Sequence, residues 1–305
     1  MTTNSTYHIP VMLQACLEGL HIHPDGCYVD VTFGGGGHSR AMYEQLGANG
    51  SLVAFDQDPD ARSNGWEADN FHFVAANFSF LKNHLRALGI RQVDGILADL
   101  GVSSHQFDTS SRGFSIRGND RLDMRMNPQS PLSAHEVINT YDEEDLIRIF
   151  RNYGEIDRAR KIAHEICVAR SGSSIDTTAD LIDLVNPWAP RNKEHKFHAQ
   201  LFQALRIEVN QELEALEKFL LQSAEVIKPG GYLVVMSYHS LEDRLVKNFL
   251  KRGNMDGSLT KDFYGKLIKP FDEVNRKPIT ATEEEISQNP RARSAKLRIA
   301  VRNGE

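Results

Sequence analysis

The sequence predicts an α/β protein whose parallel, helix-covered sheet is interrupted by a helical insertion. Three observations carry this. Short β-rich runs alternate with amphipathic stretches from Cys27 to Leu100, the alternation stops after Ser104, and it resumes at "YLVVMSYHS". Strands joined by helical crossovers of about a dozen residues pair in parallel and bury both sheet faces.

The elements follow in order. "CYVDVTF" is strand-like, and "HSRAMYEQLG" is a helix ending at Gly47 and the "ANG" turn. "SLVAFD" is the second strand, followed by "PDARSNGWEA", a helical stretch opened by Pro59. "FHFVAAN" is the third strand, "FSFLKNHLRALG" a helix stopped by Gly89, and "VDGILADLG" the fourth strand. The insertion holds "SAHEVINTYDEEDLIRIFRNYG", "EIDRARKIAHEICVARSG" and "TTADLIDLVNPW", with apolar positions at helical spacing and Ser, Asp or Thr starts. One long helix, "AQLFQALRIEVNQELEALEKFLLQSAEVI", then leads through a "KPGG" turn into the fifth strand. "KLIKPF" and "AKLRIAVR" are expected as two further edge strands. The expected domains are therefore 1–104 and 199–305 for the sheet, with 105–198 inserted between the fourth and fifth strands.

Composition excludes several classes. With 305 residues, 40% hydrophobic and 25% charged, the chain reads as an ordinary soluble globular protein. No apolar run approaches the roughly 18 to 20 residues that cross a bilayer. The start "MTTNSTYHIPVML" lacks the pattern of a secretory signal, so a cytoplasmic location and no membrane partner are expected. Cys16, Cys27 and Cys167 are widely spaced without a CxxC, which suits a reducing compartment and argues against a structural zinc site. The net charge of −6 counts against a protein coated in nucleic acid. Two basic stretches run against that average: Arg112, Arg117, Arg121 and Arg125, and the tail Arg291, Arg293, Lys296, Arg298 and Arg302. Such patches suit contact with nucleic acid at one place, or are ordinary solvated charges.

In an open parallel sheet the ligand lies at the carboxyl ends of the strands, so the residues there are the ones to inspect. The first strand ends in Gly34-Gly35-Gly36-Gly37-His38, a turn whose backbone can approach a ligand closely. It is not a P-loop, because Gly-His-Ser stands where Gly-Lys-Ser/Thr is needed. It fits the dinucleotide fingerprint poorly, because the third glycine falls on Ser39 or Arg40, although a nicotinamide cofactor stays open. Asp56 ends the second strand, about 20 residues after the glycines, where a carboxylate takes ribose hydroxyls. Asp58 reads as an N-cap before Pro59. The third strand ends at Asn77-Phe78, a polar edge and aromatic face for a purine or a core contact, and the fourth at Asp99. These features occur in order with no second mononucleotide half, which favours S-adenosylmethionine over a dinucleotide.

The stretches "HIPVML", "DVTFGGGGHS", "DLGVSSHQFD", "RGFSIRGNDRLDMRM", "FQALRIEVNQEL", "SYHSLEDRLVK" and "NPRARSAKLR" span nearly the whole chain. In these stretches and their order the chain closely resembles the RsmH (MraW) family of bacterial rRNA methyltransferases, which modify N4 of a cytosine in the decoding region of 16S rRNA. The resemblance implies a Rossmann-like S-adenosylmethionine-dependent methyltransferase sheet with an inserted helical domain that helps form the RNA site. It puts the S-adenosyl-L-methionine contacts on Gly36, Gly37, His38, Asp56, Phe78, Asp99 and Gln106. The implied partner is 16S rRNA in the small ribosomal subunit, and a homodimer is compatible with the sequence. Two departures stand out. "KFHAQLFQALRI" replaces the "HPATRTFQALRI" of many relatives, losing a proline and an arginine, and Gly118-Asn119-Asp120 alters a turn in the arginine loop.

Methyl transfer to an exocyclic amine needs in-line approach at about 3 Å and an acceptor that turns the nitrogen lone pair toward the methyl carbon. Many amino-methyltransferases use Asp/Asn-Pro-Pro-Tyr after the fourth strand. Here Asp99-Leu100-Gly101-Val102 keeps the acid and loses the prolines and the aromatic. Asp99 is thus a candidate to orient the cofactor, the amine or both. Tyr238 is a candidate aromatic platform at the end of the fifth strand, and His239 beside it a proton acceptor, an RNA contact or a polar cap. His8 is a weaker candidate. Methylation at C5 would need a cysteine near the fourth strand, where there is none. Arg112, Arg117, Arg121 and Arg125 are expected on RNA phosphates, with the target base splayed out of its stack. The alternative is a loop tied down by Asp120 and Asp123. Two other classes stay in view: a nicotinamide-dependent oxidoreductase, and a non-catalytic RNA-binding protein on a cofactor fold.

Overall fold

The computed structural model describes residues 10–304, so His8 lies outside the described residues. The chain forms two compact units, one made of Met1–Gly101 with Leu213–Glu305 and the other of Val102–Glu212.

The first unit opens with α1 (Leu13–Leu20), β1 (Cys27–Asp30), α2 (Gly37–Tyr43), β2 (Ser51–Asp56), β3 (Phe71–Ala75), α3 (Leu81–Ala87) and β4 (Val93–Asp99). "PDARSNGWEA" yields only a 3-10 helix, Pro59–Asn64, in which Asp58 is the N-cap and accepts from the Asp60 N–H.

The second unit contains α4 (Ser104–Asp108), α5 (Ala134–Thr140), α6 (Glu143–Asn152), α7 (Ala159–Arg170), α8 (Thr178–Val185) and α9 (Glu194–Asn210). Ser133, Asp142 and Thr177 cap α5, α6 and α8 with their side-chain oxygens, as the sequence suggested for such starts. Its core joins Phe150, Ile162 and Ile166 to Leu201, Phe202 and Leu205. Because α9 supplies that core, this unit ends at Glu212 rather than near 198.

The long predicted helix is two. Gln211 adopts φ 51°, ψ 40°, which ends α9 and separates it from α10 (Glu212–Val226). The first unit then resumes with β5 (Ile227–Ser237), α11 (Ser240–Arg252), β6 (Phe271–Glu273), α12 (Glu283–Gln288) and β7 (Lys296–Arg302). "KPGG" lies inside β5, where pairing with β4 jumps from Val93↔Ile227 to Gly95↔Tyr232 and Lys228 reaches Asp94 at 2.8 Å.

The sheet order is β3-β2-β1-β4-β5-β7-β6, parallel through β5, with β7 antiparallel to both neighbours. This is the expected parallel, helix-covered sheet, with one correction. Of the two C-terminal strands only β6 lies at an edge, and β7 sits inside the sheet with Leu297 and Ile299 buried on one face and Ala300 on the other. Side-chain alternation divides the core in two. Ile96, Ala98, Leu233 and Val235 face α3, α10 and α11, whereas Leu97, Val234 and Met236 face α1 and α2. Among the described residues, no helix is long and apolar enough to cross a membrane.

Candidate active site

The strand order reverses between β1 and β4, and there the carboxyl ends of β1, β2 and β4 converge. The pairing continues past β1. Val31 donates to Leu97, Phe33 donates to Phe55, and the Asp99 N–H donates to the Thr32 hydroxyl at 2.7 Å. Thr32 in turn donates to Asp30 at 3.3 Å, and Ser39 donates to the other Asp30 oxygen at 2.6 Å. Asp30, 1% exposed, therefore braces the glycine turn from below. Sequence reading did not single it out. The signal was present as the acid closing the strand just before the glycines.

The turn needs its glycines for two reasons. Gly34 and Gly36 take φ of 50° and 76°, in the left-handed region that costs a side-chain-bearing residue about 1 to 2 kcal/mol. At Gly37 a Cβ would lie 2.4 Å from Pro10, so the first turn of α2 packs directly on the chain entering α1. Gly35 differs, because a Cβ there would meet nothing within 4 Å. The backbone at Gly35 thus borders open space, beside the start of α2.

Asp56 holds the outer side of this turn. One of its oxygens accepts the Gly34 N–H at 2.7 Å and the other the Asp58 N–H at 2.8 Å. Burial pushes its carboxyl up to about 6, against the pull of these two hydrogen bonds. Phe78 sits half-buried on a short 3-10 turn, edge-on to Phe219 at 5.5 Å, so part of its ring belongs to the core.

Asp99, His38 and Tyr238 are brought together. The His38 Nε2 lies 3.1 Å from the Val11 carbonyl, which can only accept, so Nε2 carries a proton. Its Nδ1 is 3.8 Å from one Asp99 oxygen, and the Tyr238 hydroxyl donates to the other at 2.7 Å. Burial raises Asp99 to about 6, with His38 and Tyr238 pulling the other way and Asp30 and Glu242 adding to the rise. Burial and the neighbouring Asp99 push the Tyr238 hydroxyl well up, so it remains a donor. Gly101, at φ 99°, turns the chain after β4, and a Cβ there would touch the Tyr238 ring at 3.6 Å.

His239 takes the capping role. It is the N-cap of α11, its Nδ1 accepting from the Glu242 N–H at 3.4 Å, and Glu242 accepts in return from the Tyr238 and His239 N–H groups. The buried Glu242 was missed by the sequence reading, although a polar residue followed three positions later by Glu is a capping-box signature.

The remaining predicted residues lie in the second unit. Gln106 is buried, and its side-chain oxygen accepts from the Ser103 N–H in the capping box of α4. Arg112, expected on an RNA phosphate, is turned inward. It is 8% exposed and donates to the Arg125 and Met126 carbonyls at 3.0 and 2.8 Å, so it shapes the loop from inside. Arg125 forks onto Asp123 at 2.9 and 2.7 Å and also reaches the Ser130 carbonyl, which is the tied-down alternative. Arg117 and Arg121 are exposed. Of the basic tail, Arg298 is buried on Asp243 at 2.7 Å and Arg302 donates to the Ala224 and Pro270 carbonyls, both internal supports rather than a patch.

The model of the MraW methylase family matches residues 5–303. The ribosomal RNA small subunit methyltransferase H of Bacteroides thetaiotaomicron is 55% identical over 295 residues, covering 97% of either chain. That of Flavobacterium johnsoniae is 52% identical over 300 residues, covering 98% of this chain and 99% of its own. An rRNA methylase structure from Streptococcus thermophilus aligns over 95% of this chain and 93% of its own, at 10% identity and a TM-score of 0.41. The family match, spanning nearly every residue, decides against the nicotinamide-dependent reading, and the chain belongs to the MraW methylase family of S-adenosyl-L-methionine-dependent methyltransferases.

Proposed function

We propose that this enzyme methylates N4 of a cytidine in the decoding region of 16S rRNA, within the small ribosomal subunit. Support for ribosomal RNA as substrate comes from the curated relatives, which carry the name ribosomal RNA small subunit methyltransferase H. The observation that carries the amine chemistry is Asp99, a part-buried, desolvated carboxylate at the end of β4 with one oxygen held by Tyr238.

The residues fit the cofactor. The open space over Gly35 suits the methionine end, Gly36, Gly37 and His38 border it, and Asp56 is placed for ribose hydroxyls next to the turn. The half-buried Phe78 offers the rest of its ring to the adenine, and Gln106 is assigned to the cofactor by family resemblance. Bound S-adenosyl-L-methionine supplies an electrophilic methyl carbon on a sulfonium.

The protein's own part is positioning. An ionised Asp99 accepts an N4–H of the cytosine, which fixes the amine plane and turns the nitrogen lone pair toward the methyl carbon. The positive charge developing on N4 during transfer would face Asp99, the cofactor's sulfur taking back the electron pair of the bond it would give up. The surplus proton leaves N4 through that carboxylate to water. Tyr238 holds Asp99 by its hydroxyl and shares the catalytic site, while His239 sets the start of α11 behind Tyr238. The unit Val102–Glu212 recognises the RNA, with the exposed Arg117 and Arg121 on phosphates and Arg112 and Arg125 holding their loop.

The test is mass mapping of methylated nucleotides in 16S rRNA from cells with and without this gene. One N4-methylated cytidine in the decoding region should disappear with the gene and return with the wild-type copy. An unchanged modification map would overturn the proposal.

A further inference from the structure

Between α11 and β6 the chain folds into a small hairpin that the site described above does not use. Lys261 pairs with Leu267 in an antiparallel bridge, the Ile268 N–H donates to the Thr260 carbonyl at 2.9 Å, and the Asp262 N–H to the Lys266 carbonyl at 2.9 Å. The tip is closed from within. One Asp262 oxygen accepts the Tyr264 and Lys266 N–H groups at 2.9 and 2.8 Å, and the Gly265 N–H donates to the Asp262 carbonyl at 3.0 Å. The hairpin base is seated on the end of α11, where a Cβ on Gly253 would lie 2.5 Å from the Ile268 carbonyl oxygen.

This ordered tip holds two aromatic rings out in solvent. Phe263 is 97% exposed and Tyr264 91%, with centroids 5.6 Å apart and planes at 88°. Leu259 and Ile268 add exposed apolar surface at the stem. Neither ring belongs to a core cluster, so folding gains nothing from them there. The surrounding charge is mainly positive. Residues 251–268 carry Lys251, Arg252, Lys261 and Lys266 against Asp256 and Asp262, on a chain whose net charge is −6, while Lys269 is paired with Asp272 at 2.9 Å. Both acids turn back onto the backbone, Asp256 accepting from the Ser258 N–H and Asp262 from the turn itself.

We infer that this hairpin is an RNA contact in which Phe263 and Tyr264 stack on unpaired bases while the neighbouring lysines meet phosphates. An aromatic face on a rigid turn stacks on any base, and cations around it select a polyanion over a neutral protein surface. The inference rests on the reading of RNA as substrate, and adds a contact in the first unit to those expected of the second.

The test uses the full-length enzyme and a short fluorescently labelled single-stranded RNA. Replacing both Phe263→Ala and Tyr264→Ala should weaken binding about a hundredfold, the loss expected from two stacked bases at about tenfold each, and Phe263→Trp with Tyr264→Trp should restore it. Lys261→Ala should lower the salt dependence of binding by about one counterion. With small ribosomal subunits as substrate, the alanine pair should raise KM and leave kcat and S-adenosyl-L-methionine affinity unchanged. Wild-type RNA affinity and KM in the alanine pair would overturn the inference, as would a loss seen only in self-association or in binding a ribosomal protein. If wild-type enzyme transfers no methyl group to small subunits yet loses RNA affinity with the two rings, the proposed function fails and the hairpin contact stands.

Discussion

The strand ends of the first unit and the arginine loop of the second treat the same residue type in opposite ways. Asp56 and Asp99 are part-buried without a cation in hydrogen-bond contact, and desolvation lifts both to about 6. Asp123, in the loop, is also pushed up by burial, but hydrogen bonds from Arg125 outweigh this and hold it below the usual range. A carboxylate kept ionised against its surroundings costs stability, whereas one forked onto a guanidinium supports its own fold. The costly acids are thus the ones to assign to chemistry, and the paired acid to architecture.

The largest effect follows at once. Asp99→Ala should lower methyl transfer to small subunits by about a thousandfold or more, an acceptor facing developing charge being worth about 3 to 4 kcal/mol or more. Thermal unfolding should show no loss of stability, since a desolvated charge has gone. A variant that keeps near-normal turnover breaks the assignment, and one that fails to fold breaks the contrast with Asp123.

Much of this contrast was legible in the residues, and its limits have physical causes. Short β-rich runs ending in Gly34–Gly37, Asp56 and Asp99, separated by helical stretches, announced the sheet and which of its ends matters, because strand–helix rhythm and strand-end acids are local signals. Asp30 was invisible as a functional residue because its role is to accept from Ser39 and Thr32, a contact that only the folded turn creates. The arginines show the reverse limit. Spacing alone presents Arg112 and Arg117 as equals, but packing buries the first on backbone carbonyls and leaves the second in solvent. Helix length failed at Gln211, where no glycine or proline marks the break.

The opposite side of the comparison is tested at Asp123. Asp123→Ala leaves the part-buried Arg125 fork and the Arg125 N–H without their acceptor, and should destabilise the protein by about 2 to 3 kcal/mol in urea unfolding. Catalysis per folded molecule should fall far less than in Asp99→Ala. Equal stability to wild type would show that the loop's pairing is decorative.

pH separates the two sides by sign. Asp56 and Asp99, raised in the fold, contribute stability that is complete below the unfolded value near 3.8 and is lost as pH rises through about 6. Asp123, lowered in the fold, contributes stability present above 3.8 and lost as pH falls through its lowered value. Asp99→Asn should therefore be more stable than wild type at pH 8, by about 1 to 2 kcal/mol, with the advantage shrinking toward pH 4. Wild-type transfer should fall about tenfold per unit below pH 6 as Asp99 takes up its proton. A stability gap independent of pH would remove the titration of Asp99 from the account.

The join between the two regions carries a third kind of cost, in backbone rather than charge. Gln211, at φ 51°, holds a left-handed conformation that glycine adopts freely, between Asn210 of α9 and Glu212 of α10. Gln211→Gly relieves that strain but gives the unfolded chain more freedom, so the two terms oppose each other. Strain of about 1 to 2 kcal/mol against an entropy term of about 1 leaves a net gain of about 0.5 kcal/mol, visible as a small rise in Tm. Gln211→Ala keeps the strain and should gain nothing, so the glycine-minus-alanine difference isolates the backbone term from any loss of the amide. If both variants shift Tm alike, the break in the helix is held by its neighbours rather than by the geometry of this one residue.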